Sequence, residues 1–396
     1  MPGDRKSIEG GRRADLTSAS STAVDTSTSG FMKNVTWQLE VCNACRYCEG
    51  YCAVFPALER RRSFSPGDIQ YLANLCFDCR ACFYACMYAP PHEFGVNIPQ
   101  AFARVRRESY EQYSMPAAAR RLFGRQGRAA TVTMIGAGLF FLAGVALTGD
   151  IRRLLGLQLG EGAFYRVVPY ALMFLPALIF SLAALGALVS GVVRFVGRTH
   201  GRPRDFVSLS ALREAAEDTF ALRYLRGGGA GGCTYPEEKV SLARAVFHQL
   251  VMYGFLEALL STIIAFIQQD ILGWLPPYPL LSWPVVLGTI GGVAMIVGSA
   301  GLITLKVRSD RAPADQRAIE MDYVFLVLIL LVNASGLLLL ALRETALMGV
   351  LLIVHLATVF GLFFSIAYGK FAHFLYRYAA LVQNRIELSR ANSDGR

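Results

Sequence analysis

The chain has 396 residues, of which 54% are hydrophobic and only 17% charged, with a formal net charge of +10. Soluble domains carry charge on about a quarter of their residues, so this composition excludes an ordinary soluble protein. In so apolar a chain the surplus of Arg marks cytoplasmic loops, not a nucleic-acid surface.

Residues 1–34 are rich in Ser, Thr, Gly and Arg and hold no apolar run. They read as a disordered tail, without the apolar centre of a signal peptide.

Residues 35–128 read as a soluble domain built around two cysteine runs, CNACRYCEGYC and CFDCRACFYAC. Cys42, Cys45, Cys48 and Cys52 have the spacing C-x2-C-x2-C-x3-C, and Cys76, Cys79, Cys82 and Cys86 repeat it. Three thiolates at two-residue gaps wrap three corners of a cubane, and the fourth then ligates the other cluster, as in two-cluster ferredoxins. The spacing therefore predicts two [4Fe-4S] clusters. One is held by Cys42, Cys45, Cys48 and Cys86, the other by Cys76, Cys79, Cys82 and Cys52. Zinc ribbons use paired Cys but have no need of the third Cys or the three-residue gap. Disulfides are a poorer reading of runs this dense, and eight of nine Cys in such motifs indicates a reducing compartment.

Between the runs, Ser65-Pro66-Gly67-Asp68 is a helix start, with Ile69, Leu72 and Leu75 leading into the second run. Residues 97–126 read as amphipathic helices bearing Arg104, Arg106, Arg107, Arg120, Arg121 and Arg125. These form either a solvated face or a juxtamembrane collar for anionic lipid or an acidic partner.

Six stretches are long and apolar enough to span a bilayer: 129–148, 167–193, 245–267, 283–305, 323–342 and 347–373. Together they make a six-helix membrane domain over 129–378, followed by a cytoplasmic tail at 379–396. The fold class is thus mainly α. An even number of spans puts both termini on one side. The Arg-rich loops 194–244 and 306–322 place that side, and the cluster domain, in the cytoplasm. Residues 226–236, RGGGAGGCTYP, lack the lysine and spacing of a nucleotide loop and read as a flexible connection. Both cluster quartets are filled without Cys233.

Of five His, His92 and His200 lie outside the spans, while His248, His355 and His373 lie within them. His248 opens the third span and His373 closes the sixth, at matching depth, so their imidazoles can clamp a b-type haem. His355 precedes His373 by five helical turns, roughly 27 Å along a continuous helix, and reads as a quinone-site or structural residue. Glu257 is a carboxylate deep in a span. It reads as a proton acceptor for quinone chemistry or as a partner for a neighbouring helix through Asn333. No FAD fingerprint or nucleophile motif is visible. A transporter reading lacks the internal repeat that such folds show.

The cysteine repeats, GGGAGGCTYP, ARAVFHQLVMYGFLEALL and ALRETALMGVLLIVHL with YGKFAHFLYRY together resemble the tricarballylate-utilisation protein B family, from about residue 35 to 385. The resemblance implies an electron carrier of the bacterial inner membrane with iron–sulfur clusters and haem. Its partner would be an FAD-dependent dehydrogenase that oxidises tricarballylate to cis-aconitate, and its electron acceptor membrane quinone. A similar module serves a flavoprotein of cobalamin biosynthesis, which gives the alternative partner. The membrane half is similar to the cytochrome b subunit of nitrate reductase. Family members carry two adjacent His at the start of span three. Here the second is Gln249, which leaves that role to His248.

Overall fold

The computed structural model describes residues 28–148, 151–199, 206–226 and 233–394. Among them there is no strand, and one isolated antiparallel bridge joins Thr234 to Val240.

Five helices build the N-terminal part: α1 (Thr28–Cys45), α2 (Val54–Glu59), α3 (Pro66–Leu75), α4 (Ala81–Tyr84) and α5 (Ile98–Tyr113). Residues 28–34, expected to be disordered, form the first turns of α1; residues 1–27 lie outside the described residues. Helix α3 starts where the sequence places it. Ser65 Oγ accepts from the Asp68 N–H at 3.2 Å, and the Asp68 carboxylate accepts from the Ser65 N–H at 3.1 Å. This reciprocal cap satisfies two donors that a helix end otherwise leaves orphaned. Leu39, Leu58, Ile69, Leu72, Leu75 and Phe102 make a dry core beneath both cysteine loops.

Among the described residues, six helices are long and apolar enough to cross a membrane. They are α6 (Gln126–Thr148), α7 (Tyr170–Arg198), α9 (Ala243–Phe266, prolonged by a π turn to Ile271), α10 (Trp283–Arg308), α11 (Gln316–Leu342) and α12 (Met348–Tyr368). Helix α8 (Leu209–Phe220) lies in the long loop between α7 and α9. Leu147, Ile179, Leu182 and Val193 point outward, as a hydrocarbon surround demands. Helices α9 and α10 touch backbone to backbone. A Cβ at Gly254 would lie 2.6 Å from the Gly291 carbonyl oxygen, and one at Gly298 would lie 2.7 Å from that of Phe247. Small residues permit this approach, which replaces the hydrophobic drive that lipid removes.

The last span departs from expectation. Instead of one helix over 347–373, α12 ends at Tyr368, Gly369 is extended, and a tight turn at Lys370–Ala372 leads into a separate helix, α13 (His373–Asp394). His373 therefore begins a new helix. The five-turn phase relation to His355 does not hold, because the break resets both direction and phase.

The stretch expected as a tail, 379–396, is described to residue 394 as the body of α13, packed on α3, α7 and α8. Ala380, Leu381 and Val382 are fully buried. Arg61 reaches Glu387 at 2.7 Å and Asp68 at 2.7 Å, and Gln383 donates to the Thr199 carbonyl at 2.8 Å. The C-terminal helix thus straps the cysteine-rich part to the loop helix and to the end of α7.

Candidate metal centres

The two cysteine runs open onto two adjoining cavities. The first is lined by Cys42, Cys45, Cys48 and Cys86, with Tyr47, Met87 and Tyr88 at its sides and Cys82 at the wall it shares with the second. That second cavity is lined by Cys52, Cys76, Cys79 and Cys82, together with Phe77 and Arg80. The last Cys of each run lies in the cavity of the other run, because the chain turns back after Cys48 and again after Cys82. All nine cysteines are free thiols.

A single zinc ion requires sulfurs at about 2.3 Å from one point. Among the described residues no group of three or more His, Cys, Asp or Glu is arranged to hold a single metal ion. The four thiols lining each cavity are the donor set that a [4Fe-4S] cluster takes. Burial first, then neighbouring thiols, pushes Cys42 and Cys48 up to about 12. Cluster insertion must displace those protons, which couples loading to pH.

The membrane histidines separate into two settings. His248 on α9 and His373 at the start of α13 bring their ring centroids to 6.1 Å with planes at 83°. Two imidazoles sharing one metal, at about 2.0–2.1 Å from each nitrogen, put their centroids roughly 6 Å apart. His373 Nδ1 lies 2.6 Å from the Lys370 carbonyl oxygen, which can only accept, so Nδ1 carries the proton and Nε2 keeps its lone pair. The Nδ1 of His248 is buried without a hydrogen-bond partner. A buried orphan nitrogen beside a ligand-ready imidazole fits a haem iron held by this pair.

His355 stands apart. Its Nδ1 lies 3.1 Å from Ser335 Oγ, which in turn lies 3.1 Å from Thr358 Oγ1, and its ring packs on Gly336. Glu257 does not meet Asn333. The Asn333 amide donates to the Ile329 carbonyl at 2.7 Å and to Met295 sulfur at 3.5 Å, while Glu257 Oε2 is buried without a partner. Met295 is itself buried and occupied by that amide. His92 accepts from the Phe94 N–H at 3.0 Å and stacks near Tyr88, whereas His200 lies outside the described residues. Gln249 accepts from Arg226 at 2.8 Å on the outer face of α9.

Several residues that matter were not evident from spacing. Arg106, expected on a solvated face or collar, is 5% exposed and donates to the carbonyls of Ala73 at 3.0 Å and Cys76 at 3.2 Å. Arg107 pairs with Glu108 and Asp315, so that part of the expected collar is also internal. Arg377, one turn beyond His373, donates to the Cys76 carbonyl at 2.9 Å and covers the Phe77 ring at 4.4 Å. Arg244, one turn before His248, donates to the Asp78 carbonyl. Burial would raise the Asp78 carboxyl, but Arg80 and Arg244 outweigh it and hold it below the usual range. The glycine run 227–232 lies outside the described residues, and the residues that follow it are held in place. The Thr234 N–H donates to the Cys79 carbonyl at 3.0 Å, and Cys233 is buried beside it. The four-residue offset between Arg and His on each helix was the available signal.

The family model for citrate utilization protein B matches residues 124–394, and that for its Fer4-like domain matches residues 35–112. A citrate utilization protein B from Escherichia coli is 42% identical over 362 residues, covering 90% of this chain and 93% of that protein. No solved structure matches the chain.

Proposed function

We propose that this chain, which belongs to the citrate utilization protein B family, is a membrane electron relay that reoxidises the reduced flavin of a partner dehydrogenase and delivers the electrons to membrane quinone. Its Fer4-like domain gives it an iron–sulfur electron-transfer role. In the finer reading, the eight cysteines of the two cavities hold two [4Fe-4S] clusters, and His248 with His373 holds a b-type haem. Such groups supply one-electron steps between a two-electron flavin and quinone.

The observation that carries this reading is the join between the second cavity and the histidine pair. The loop Cys76–Asp78 is grasped by Arg377 and Arg244, each one helical turn from a histidine of the pair. This reading puts the donor sets in series, from the exposed Cys45 to the membrane helices. In this orientation the cluster-bearing part and the C-terminal helix face the cytoplasm, as the Arg bias of the loops directs. The partner is an FAD-dependent dehydrogenase acting on a tricarboxylate such as tricarballylate. The chain's own part is to hold the centres, exclude water from the second cavity and fix their spacing.

The test is an oxidised-minus-reduced optical spectrum of the detergent-solubilised protein, with iron, sulfide and haem assays on the same sample. About eight cluster irons and one b-type haem per chain are expected from the donor count. Zinc in place of iron sinks the reading.

A further inference from the structure

The two cavities differ sharply in charge. No charged residue lines the first. The charged residues next to its lining residues in sequence, Glu40, Arg46 and Glu49, are all exposed, with the Arg46 guanidinium on the Asn43 carbonyl, where water screens them. Cys45 is exposed, and Tyr47 and Met87 beside it are 59% and 61% exposed.

The second cavity is ringed by cations. Arg80, 2% exposed, lines it directly. Arg106 and Arg377 both donate to the carbonyl of Cys76, and Arg244 donates to that of Asp78. Tyr235 sits between Arg80 and Arg244, each 4.6 Å from its ring centroid. Against these four guanidiniums stands the Asp78 carboxylate, 4.0 Å from Arg80 and 3.9 Å from Arg244. The Asp310 backbone carbonyl accepts from Arg80, while its carboxylate is engaged by Tyr84. Arg remains protonated at any working pH, so the surplus is permanent.

We propose that this asymmetry sets the direction of electron flow: Arg80, Arg106, Arg244 and Arg377 make the Cys52–Cys76–Cys79–Cys82 site the stronger electron acceptor, and the Cys42–Cys45–Cys48–Cys86 site the weaker. The inference rests on the cluster reading above. Each four-thiolate site becomes more negative when it gains one electron. Buried cations and hydrogen bonds to the ligand loop stabilise that added charge and raise the potential. Low surrounding dielectric magnifies the effect at the second site, while solvent damps it at the first. An electron entering by way of the exposed Cys45 face then moves downhill to the site held against the His248–His373 helices. Arg244 and Arg377 are positioning residues in this scheme, acting through the Cys76–Asp78 loop.

The experiment is a redox titration of the purified holoprotein followed by electron paramagnetic resonance, after iron and sulfide assays. Two cluster signals of different midpoint are expected. Cys45→Ser should alter the lower-potential signal and Cys79→Ser the higher. Arg377→Gln should shift the higher signal so that its reduced-to-oxidised ratio at fixed poise falls about tenfold, which is 59 mV for a one-electron couple, and should leave the lower signal in place. Arg377→Lys should restore most of that shift. Arg244→Gln gives the same readout if Arg377→Gln fails to retain iron. A higher-potential signal assigned to Cys45, no movement in either Gln variant, equal movement of both signals, or a Lys variant as displaced as the Gln variant overturns this proposal alone. Absence of cluster signals from the wild type overturns the function reading and this inference together.

Discussion

His248 and His373 face each other at 6.1 Å although one opens the third membrane helix and the other opens the C-terminal helix. The break at Gly369–Ala372 makes this possible. It redirects the chain so that His373 turns inward and its Nδ1 is capped by the carbonyl of Lys370.

His373→Ala should abolish the b-type haem absorption while leaving the cluster iron intact. His355→Ala should keep the haem spectrum, because His355 is bonded to Ser335 and lies away from the pair. An unchanged spectrum in the His373 variant would move the ligand elsewhere.

Cys79→Ser should lower bound iron and stop quinone reduction. Cys233→Ser should retain full iron, since its sulfur donates weakly to the Cys79 carbonyl at 3.7 Å and lines neither cavity. Its cost should be about 1 kcal/mol or less, the scale of one weak hydrogen bond. Iron loss in the Cys233 variant, measured by the same assay, would contradict the eight-ligand set.

Gly298→Ala should destabilise the α9–α10 contact by about 1–3 kcal/mol, the usual cost of overpacking. The added methyl meets backbone atoms of Phe247 and Val251, which cannot rotate away. Phe247 precedes His248, so the haem band should broaden or weaken before the cluster signals change. Thermal unfolding and the optical spectrum, followed together, check the order of loss.

Asp68→Asn should cost about 1 kcal/mol at neutral pH, because the neutral amide weakens the capping box with Ser65 and removes the ion pair with Arg61, and should loosen the Arg61 link to Glu387 on the C-terminal helix. Burial pushes the Asp68 carboxyl up, but bonds from Ser65 and Arg61 outweigh it and hold it below the usual range. A carboxyl lowered in the folded state stabilises fully above its unfolded value of about 4, and that contribution is lost as pH falls through its folded value. The difference in Tm between wild type and Asp68→Asn should therefore shrink below about pH 4. A difference that grows in acid would reverse the sign and refute the assignment.

Much of the architecture is local and so could be read from residues alone. The two C-x2-C-x2-C-x3-C runs name the thiols, because loop spacing dictates which sulfurs can converge. Runs of about 20 apolar residues give the six spans, because a bilayer leaves the backbone no other partner than itself. The Ser65–Asp68 cap is likewise a four-residue matter. What local pattern could not supply is the environment of those groups. Arg106 has the same helical periodicity whether it faces water or the Cys76 carbonyl. Only the packing of α5 on α3 decides that it is internal. The helix break before His373 is equally invisible in an apolar run that continues past it. It coincides with the ion pair that Lys370 makes with Asp322 of α11 at 2.7 Å. The sequence by itself determined the two cysteine runs and the six apolar segments, which depend on neighbours along the chain. The tertiary structure decided which of these side chains face one another and which charges surround them, because both depend on residues far apart in the chain, such as His248 with His373, Asp78 with Arg244 and Cys76 with Arg377, brought together by folding.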